Sequence, residues 1–231
     1  MPSRRFVVLC LLLAVLIVGW LWRRNLASRE PSIQLIAPAI TKQPINVTMH
    51  MFDPTAPPID MPPLSYGENA ECASDFQSSV IVDGTSQQID SAHETLTITQ
   101  IRMTLHLSVA IWVPSGASQH VLEHEQGHRQ ISEFYYQTAD QLAAGIAARY
   151  LGKRVDIAGG DLNGESGTVL HKFADEITSE YNKELNPGPT QLLYDSITDH
   201  SRNEVAANDA VAAAIMNSKA ASILSPANSG N

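Results

Sequence analysis

The chain has 231 residues, of which 24 are Asp or Glu and 15 are Lys or Arg, for a formal charge of -9. With no basic cluster and no aromatic–basic patch in the soluble part, that balance argues against a nucleic-acid partner or an anionic-lipid surface. Beyond residue 66, about 160 residues remain, enough for a single domain with its own core.

At the start, Arg4 and Arg5 precede an apolar run from Phe6 to Trp22. As a helix this run would be about 26 Å long, at the short end of the membrane-spanning range. Trp20 and Trp22 stand where interfacial aromatics belong. Arg23 and Arg24 follow, where a signal peptide would carry a small-x-small cleavage site. Residues 1–29 therefore read as an uncleaved single-pass anchor, the alternative being a cleaved signal and a secreted protein; basic residues on both sides leave the orientation open. Cys10 lies in this run and Cys72 stands alone beyond it, so no intrachain disulfide is expected in the soluble part. Residues 30–66 hold eight of the thirteen prolines and read as an extended tether. Ile45, Val47, Met49 and Met51 alternate within it and could form one early strand.

The domain is expected over residues 67–225. From Ile101 to Val113 the odd positions are all apolar and the even ones include Arg102, Thr104, His106 and Ser108, the period-2 signature of a half-buried strand. Leu96 and Ile98 suggest an adjoining strand or an extension past a bulge, and Val80 to Val82 before Asp83-Gly84 suggests another. A long amphipathic helix is expected from about Ser118 to Leu151, with Ile131, Tyr135, Leu142 and Ile146 on one stripe and Gly152 as the stop. Asp161 to Glu165 resembles a calcium loop but has Lys172 where the bidentate Glu belongs, so it reads as a turn. A second helix, about Glu165 to Asn186, carries the stripe Leu170, Phe173, Ile177, Tyr181 and Leu185. The breaker run Asn186-Pro187-Gly188-Pro189 precedes Tyr194-Asp195-Ser196-Ile197-Thr198-Asp199-His200 at the approach to another helix, and residues 226–231 read as a loose tail. The fold class is α+β: a small antiparallel or mixed sheet, a long active-site helix and further C-terminal helices.

The chemistry concentrates in His124-Glu125-Gln126-Gly127-His128. In H-E-x-x-H the two imidazoles lie one helical turn apart and can aim at one Zn²⁺ at about 2.0–2.1 Å, while the carboxylate reaches a water beside the ion. Both histidines continue the apolar stripe and so point toward the core. Gly127 costs about 1 kcal/mol relative to Ala in a helix, which suits a site that something approaches closely. A catalytic zinc needs a third protein ligand. His200 is expected to supply it; Glu176, Glu180, Glu184, Asp199 and Glu204 are the competing donors. Tyr194 is assigned as the donor to the developing oxyanion, and Asp195 or Asp199 as the carboxylate that orients a ligand imidazole.

These two motifs, H-E-Q-G-H on a long helix and Y-D-x-x-T-x-H some seventy residues on, resemble an uncharacterised family of bacterial envelope proteins predicted to be zinc-dependent proteases; the likeness covers roughly residues 98–211. It implies a zincin-like fold, His124 and His128 as ligands, Glu125 as the catalytic carboxylate and His200 as third ligand. Arg129 and Gln130 depart from the uncharged and hydrophobic residues usual after the second His of zincins. The expected protein is a zinc metallopeptidase held by its N-terminal helix at the bacterial inner membrane, acting on a peptide or protein substrate that adds to a sheet edge. A non-catalytic zinc-binding or structural envelope module and a cell-wall peptide amidase are the alternatives.

Overall fold

A computed structural model describes residues 33–64 and 68–224, with side chains to residue 220. Almost all of it belongs to one compact unit that begins at Leu35. The fold is α+β, a five-stranded sheet with several helices.

The sheet is organised by β4 (His93–Pro114), the strand that the period-2 alternation marks. Ile101, Met103, Leu105, Leu107, Val109 and Ile111 are all buried, each contributing about 1.5–3 kcal/mol as an upper figure for side-chain burial. One edge of β4 carries β3 (Glu71–Gln88), antiparallel along its whole length. Three shorter strands share the other edge: β5 (Arg154–Ala158) antiparallel at residues 93–97, then β1 (Ala39–Lys42) and β2 (Asn46–Phe52), both parallel. The register of β3 against β4 shifts between Asp83 and Gly84, so the expected strand at Leu96 and Ile98 is an extension of β4 past a bulge. A Cβ at Gly84 would lie 2.7 Å from Leu96 Cδ1 and 3.1 Å from the Thr97 carbonyl, so the bulge needs glycine.

The expected tether is corrected here. Pro-rich composition marks its loops, but the early strand expected from Ile45, Val47, Met49 and Met51 is β2, β1 also falls within the segment, and both hydrogen-bond into the sheet. Val47, Met49 and Met51 stay exposed, while Phe52 is buried and His50 stacks on Trp112 with ring centroids 4.1 Å apart.

The long helix divides into α1 (Gln119–Gln137) and α2 (Ala139–Tyr150). Thr138, at φ -106° and ψ 9°, interrupts it, and beside the break the Tyr136 hydroxyl lies 2.9 and 2.8 Å from the carbonyls of Gln43 and Leu105. The break turns Ala139, Ala143, Ile146 and Ala147 into the main core. Ser118 caps α1, accepting from the Val121 amide, and Gly152 at φ +80° ends α2. α3 (Leu162–Glu184) is capped by Asp161, which accepts from the Gly164 amide at 3.1 Å, as the turn reading of that loop requires. α4 (Gly188–Thr198) starts on the breaker run with Pro189 in its first turn, and α5 (Ala207–Leu224) follows. Ile131 of α1, Tyr194 of α4 and Ala210, Val211 and Ala214 of α5 form a second, smaller core.

The single-pass inner-membrane localisation is also corrected. Among the described residues no helix is long and apolar enough to cross a membrane. The expected anchor falls outside the described residues.

Candidate metal centre

Two helices make the site. α1 buries His124, Glu125, Gly127, Ile131 and Ser132, and α4 buries Thr190, Tyr194, Asp195 and Thr198. Where they cross, Tyr194 lies over His124, ring centroids 5.0 Å apart and nearly parallel, and its hydroxyl donates to the His124 carbonyl at 3.1 Å. A Cβ on Gly127 would stand 2.1 Å from that hydroxyl, so the close approach at Gly127 is made by a tyrosine. Tyr194 is fully buried and its hydroxyl is committed. The assignment of Tyr194 as an oxyanion donor is thereby corrected to one of packing.

With Tyr194 seated, Asp195 falls beside the two imidazoles. Its Oδ1 is 2.8 Å from His128 Nε2 and 3.4 Å from His124 Nε2, and the two Nε2 atoms are 3.2 Å apart. These spacings match the separation of about 3.3 Å between donors around a tetrahedral ion bound at about 2.0–2.1 Å. Asp195 Oδ1 is nevertheless buried without a properly directed hydrogen-bond partner, an uncommon state for a carboxylate oxygen. Three convergent donors and a misdirected oxygen fit a metal ion better than a hydrogen-bonded cluster.

Gln191, one turn before Asp195 on the same face of α4, braces His128. Its Oε1 accepts from His128 Nδ1 at 2.7 Å, fixing the tautomer that leaves the Nε2 lone pair for a cation. Its amide nitrogen donates to the His128 carbonyl at 3.1 Å and to Ser132 Oγ at 3.0 Å, and Ser132 in turn meets Ser74 Oγ of β3 at 2.7 Å. Sequence reasoning missed Gln191, although the i, i+4 spacing to Asp195 was the available signal.

The other expected donors are accounted for. His200 is placed away from the imidazole pair, joining Glu68 and Asp195 in an adjoining group, with Nδ1 2.9 Å from Glu68 Oε1. Asp195, expected to orient an imidazole, is itself the third donor. Asp199 is exposed and pairs with Arg202, so it orients no ligand. Glu180 and Glu184 are held by Arg149 at 2.5 and 2.8 Å; neither they nor Glu176 or Glu204 belong to a metal-competent group among the described residues.

A cleft of about 570 Å³ opens onto the centre, lined by Glu125, His128 and Asp195, by Cys72, Ser74 and Phe76 of β3, and by the start of α4. Burial lifts the Glu125 carboxyl to about 8; His128 opposes the rise, while Glu68, Glu71 and Asp195 add to it. Burial pulls the His128 imidazolium down, but the Asp195 carboxylate and Gln191 outweigh it and raise it to about 9. Asp195 is pushed up by burial but held well below the usual carboxylate range by the two imidazoles. Glu125 is thus a buried acid–base group facing the cleft.

No family model matches the chain, and no curated protein or solved structure matches it significantly.

Proposed function

We propose that this protein is a zinc-dependent peptidase of the H-E-x-x-H type, with His124, His128 and Asp195 as the metal ligands and Glu125 as the acid–base carboxylate. The observation that carries the reading is the convergence of the His124, His128 and Asp195 donor atoms within 2.8–3.4 Å, beside an open cleft and a raised carboxyl. Two imidazole nitrogens and one carboxylate oxygen suit zinc. Three protein donors next to a cleft correspond to the open arrangement of catalytic zinc, whereas structural zinc is closed by four protein ligands. That comparison favours catalysis over the structural-module alternative.

When bound, zinc supplies Lewis acidity toward a substrate carbonyl and toward water. Glu125 takes the proton from the attacking water as that water's oxygen bonds to the scissile carbon. The positive charge of a bound zinc would favour the carboxylate form of Glu125, which then returns that proton to the leaving nitrogen as the C–N bond breaks, giving a carboxylate and an amine. Gln191 holds His128 in its ligating tautomer, and Tyr194 fixes the His124 backbone, so neither imidazole needs to reorganise. Among the described residues β3 pairs only with β4, and its side chains line the cleft, so an extended peptide has an unpaired strand edge to join.

The test is Glu125→Gln in the full chain. Zinc content is expected to stay at the wild-type level while hydrolysis of a denatured protein substrate falls by about 10²–10⁴. Undiminished turnover would remove Glu125 from the chemistry.

A further inference from the structure

Asp195 is common to two donor groups. One is the His124–His128 pair; the other is Glu68, on the approach to β3, with His200, in the turn after α4. Glu68, Asp195 and His200 each bring one donor atom within 4.8 Å of the other two. We propose that Glu68, Asp195 and His200 form a second divalent-cation site, bridged to the first through the Asp195 carboxylate. The proposal rests on reading the first site as a metal centre.

The backbone is the first support. Asp199, His200 and Ser201 are consecutive non-glycine residues in the left-handed region, at φ 47°, 52° and 63°. Each such residue costs on the order of 1–2 kcal/mol. The turn is folded back by the His200 amide, which donates to the Asp195 carbonyl at 3.1 Å, and by Asn203 Nδ2, which donates to the Ile197 carbonyl at 2.8 Å. What the strained path achieves is the return of the His200 ring to Glu68 and Asp195. A partly exposed Glu68–His200 pair, with side chains 13% and 32% accessible, is worth only about 0–1 kcal/mol and does not offset three such residues. Coordination of a cation does.

Charge and chemistry are the second support. Glu68, Glu71, Glu125 and Asp195 line the cleft, and no Lys or Arg does. Asp195, nine-tenths buried with an oxygen lacking a directed hydrogen bond, is suited to bridge two ions. Paired ions about 3.5–4 Å apart hold the attacking and departing oxygens of a hydrolytic reaction together.

The experiment is a zinc-binding count on the full chain by equilibrium dialysis and elemental analysis, with circular dichroism as a fold control. Wild type is expected to bind two ions at saturation. Glu68→Gln and His200→Ala should each lose one and keep one; the double variant His124→Ala/His128→Ala should keep the other. If His200→Ala does not fold, the near-isosteric Glu68→Gln decides. A wild type that saturates at one ion, lost in His124→Ala/His128→Ala, overturns the second site and leaves the first. Two ions that persist in both Glu68→Gln and His200→Ala also overturn it, by placing the second ion elsewhere. No bound ion at all overturns both sites.

Discussion

Gly127 and Tyr194 are the residues on which the metal centre's geometry turns. In Gly127→Ala the new methyl would meet Tyr194 Oη at 2.1 Å and Cζ at 2.4 Å in a fully buried place. Alanine's helix propensity returns about 1 kcal/mol, but overpacking of this severity costs about 1–3 kcal/mol or more. We expect a net loss of about 2 kcal/mol in urea unfolding and weaker zinc binding, because the displaced ring carries the His124 backbone with it. Tyr194→Phe should not rescue the variant, since Cζ remains in the way; a Gly127→Ala chain as stable as wild type would refute the packing account. At this scale the helical part of the candidate site was legible: His124, Glu125 and His128 announce themselves by spacing. The third donor was not, because Asp195 and His200 sit in one short motif. Which of them faces α1 depends on where α4 ends, and the left-handed turn that ends it contains no glycine to mark it.

Among the elements, α4 is short and positions the third donor, Gln191 and Tyr194 together, while the turn after it carries the backbone strain. Ser201 has φ 63° and, among the described residues, no side-chain hydrogen bond, so Ser201→Gly should relieve strain. Allowing for the entropy glycine gains in the unfolded chain, a stabilisation of about 0.5–1 kcal/mol is expected, with zinc stoichiometry unchanged. Lower stability in thermal melts would show that the turn is not under tension. The sheet shows the same division in what sequence could tell. β4 was legible from strict alternation of buried positions and β2 from the alternation of Ile45, Val47, Met49 and Met51, whereas β1 was hidden by the surrounding prolines, since composition reports on loops and not on a distant pairing partner. The break at Thr138 was invisible for a related reason: neither Pro nor Gly stands at it, and the Tyr136 hydroxyl contacts beside it are tertiary.

For the molecule as a whole, the centre couples folding to pH and metal. In the metal-free chain Glu125 rises from 4.5 to about 8 and His128 from 6.5 to about 9. Over that span the folded state holds protons that the unfolded state has released. Metal-free stability therefore falls as pH rises from about 4.5 to about 9, by a few kcal/mol in all. The depressed Asp195 acts in the opposite sense and only in acid, its contribution being lost as pH falls below the ordinary carboxylate range. Zinc bound as proposed would displace the His128 proton, so its stabilisation should grow with pH; at a thousandfold excess over Kd it would reach about 4 kcal/mol, or about 10 °C in Tm for a domain of this size. Melts with zinc and with chelator from pH 6 to pH 9 check this, and metal-free stability that climbs across the range would count against it. The shared edge of β4 has a further, kinetic consequence. The β3–β4 hairpin is built from neighbours in the chain, while Ala39 waits for Arg102 and Asn46 for Ser108. Loop closure makes such distant pairings late events. During synthesis the earliest strands to emerge should thus be the last to lock, and pulsed hydrogen exchange should find hairpin amides protected before those of residues 39–52.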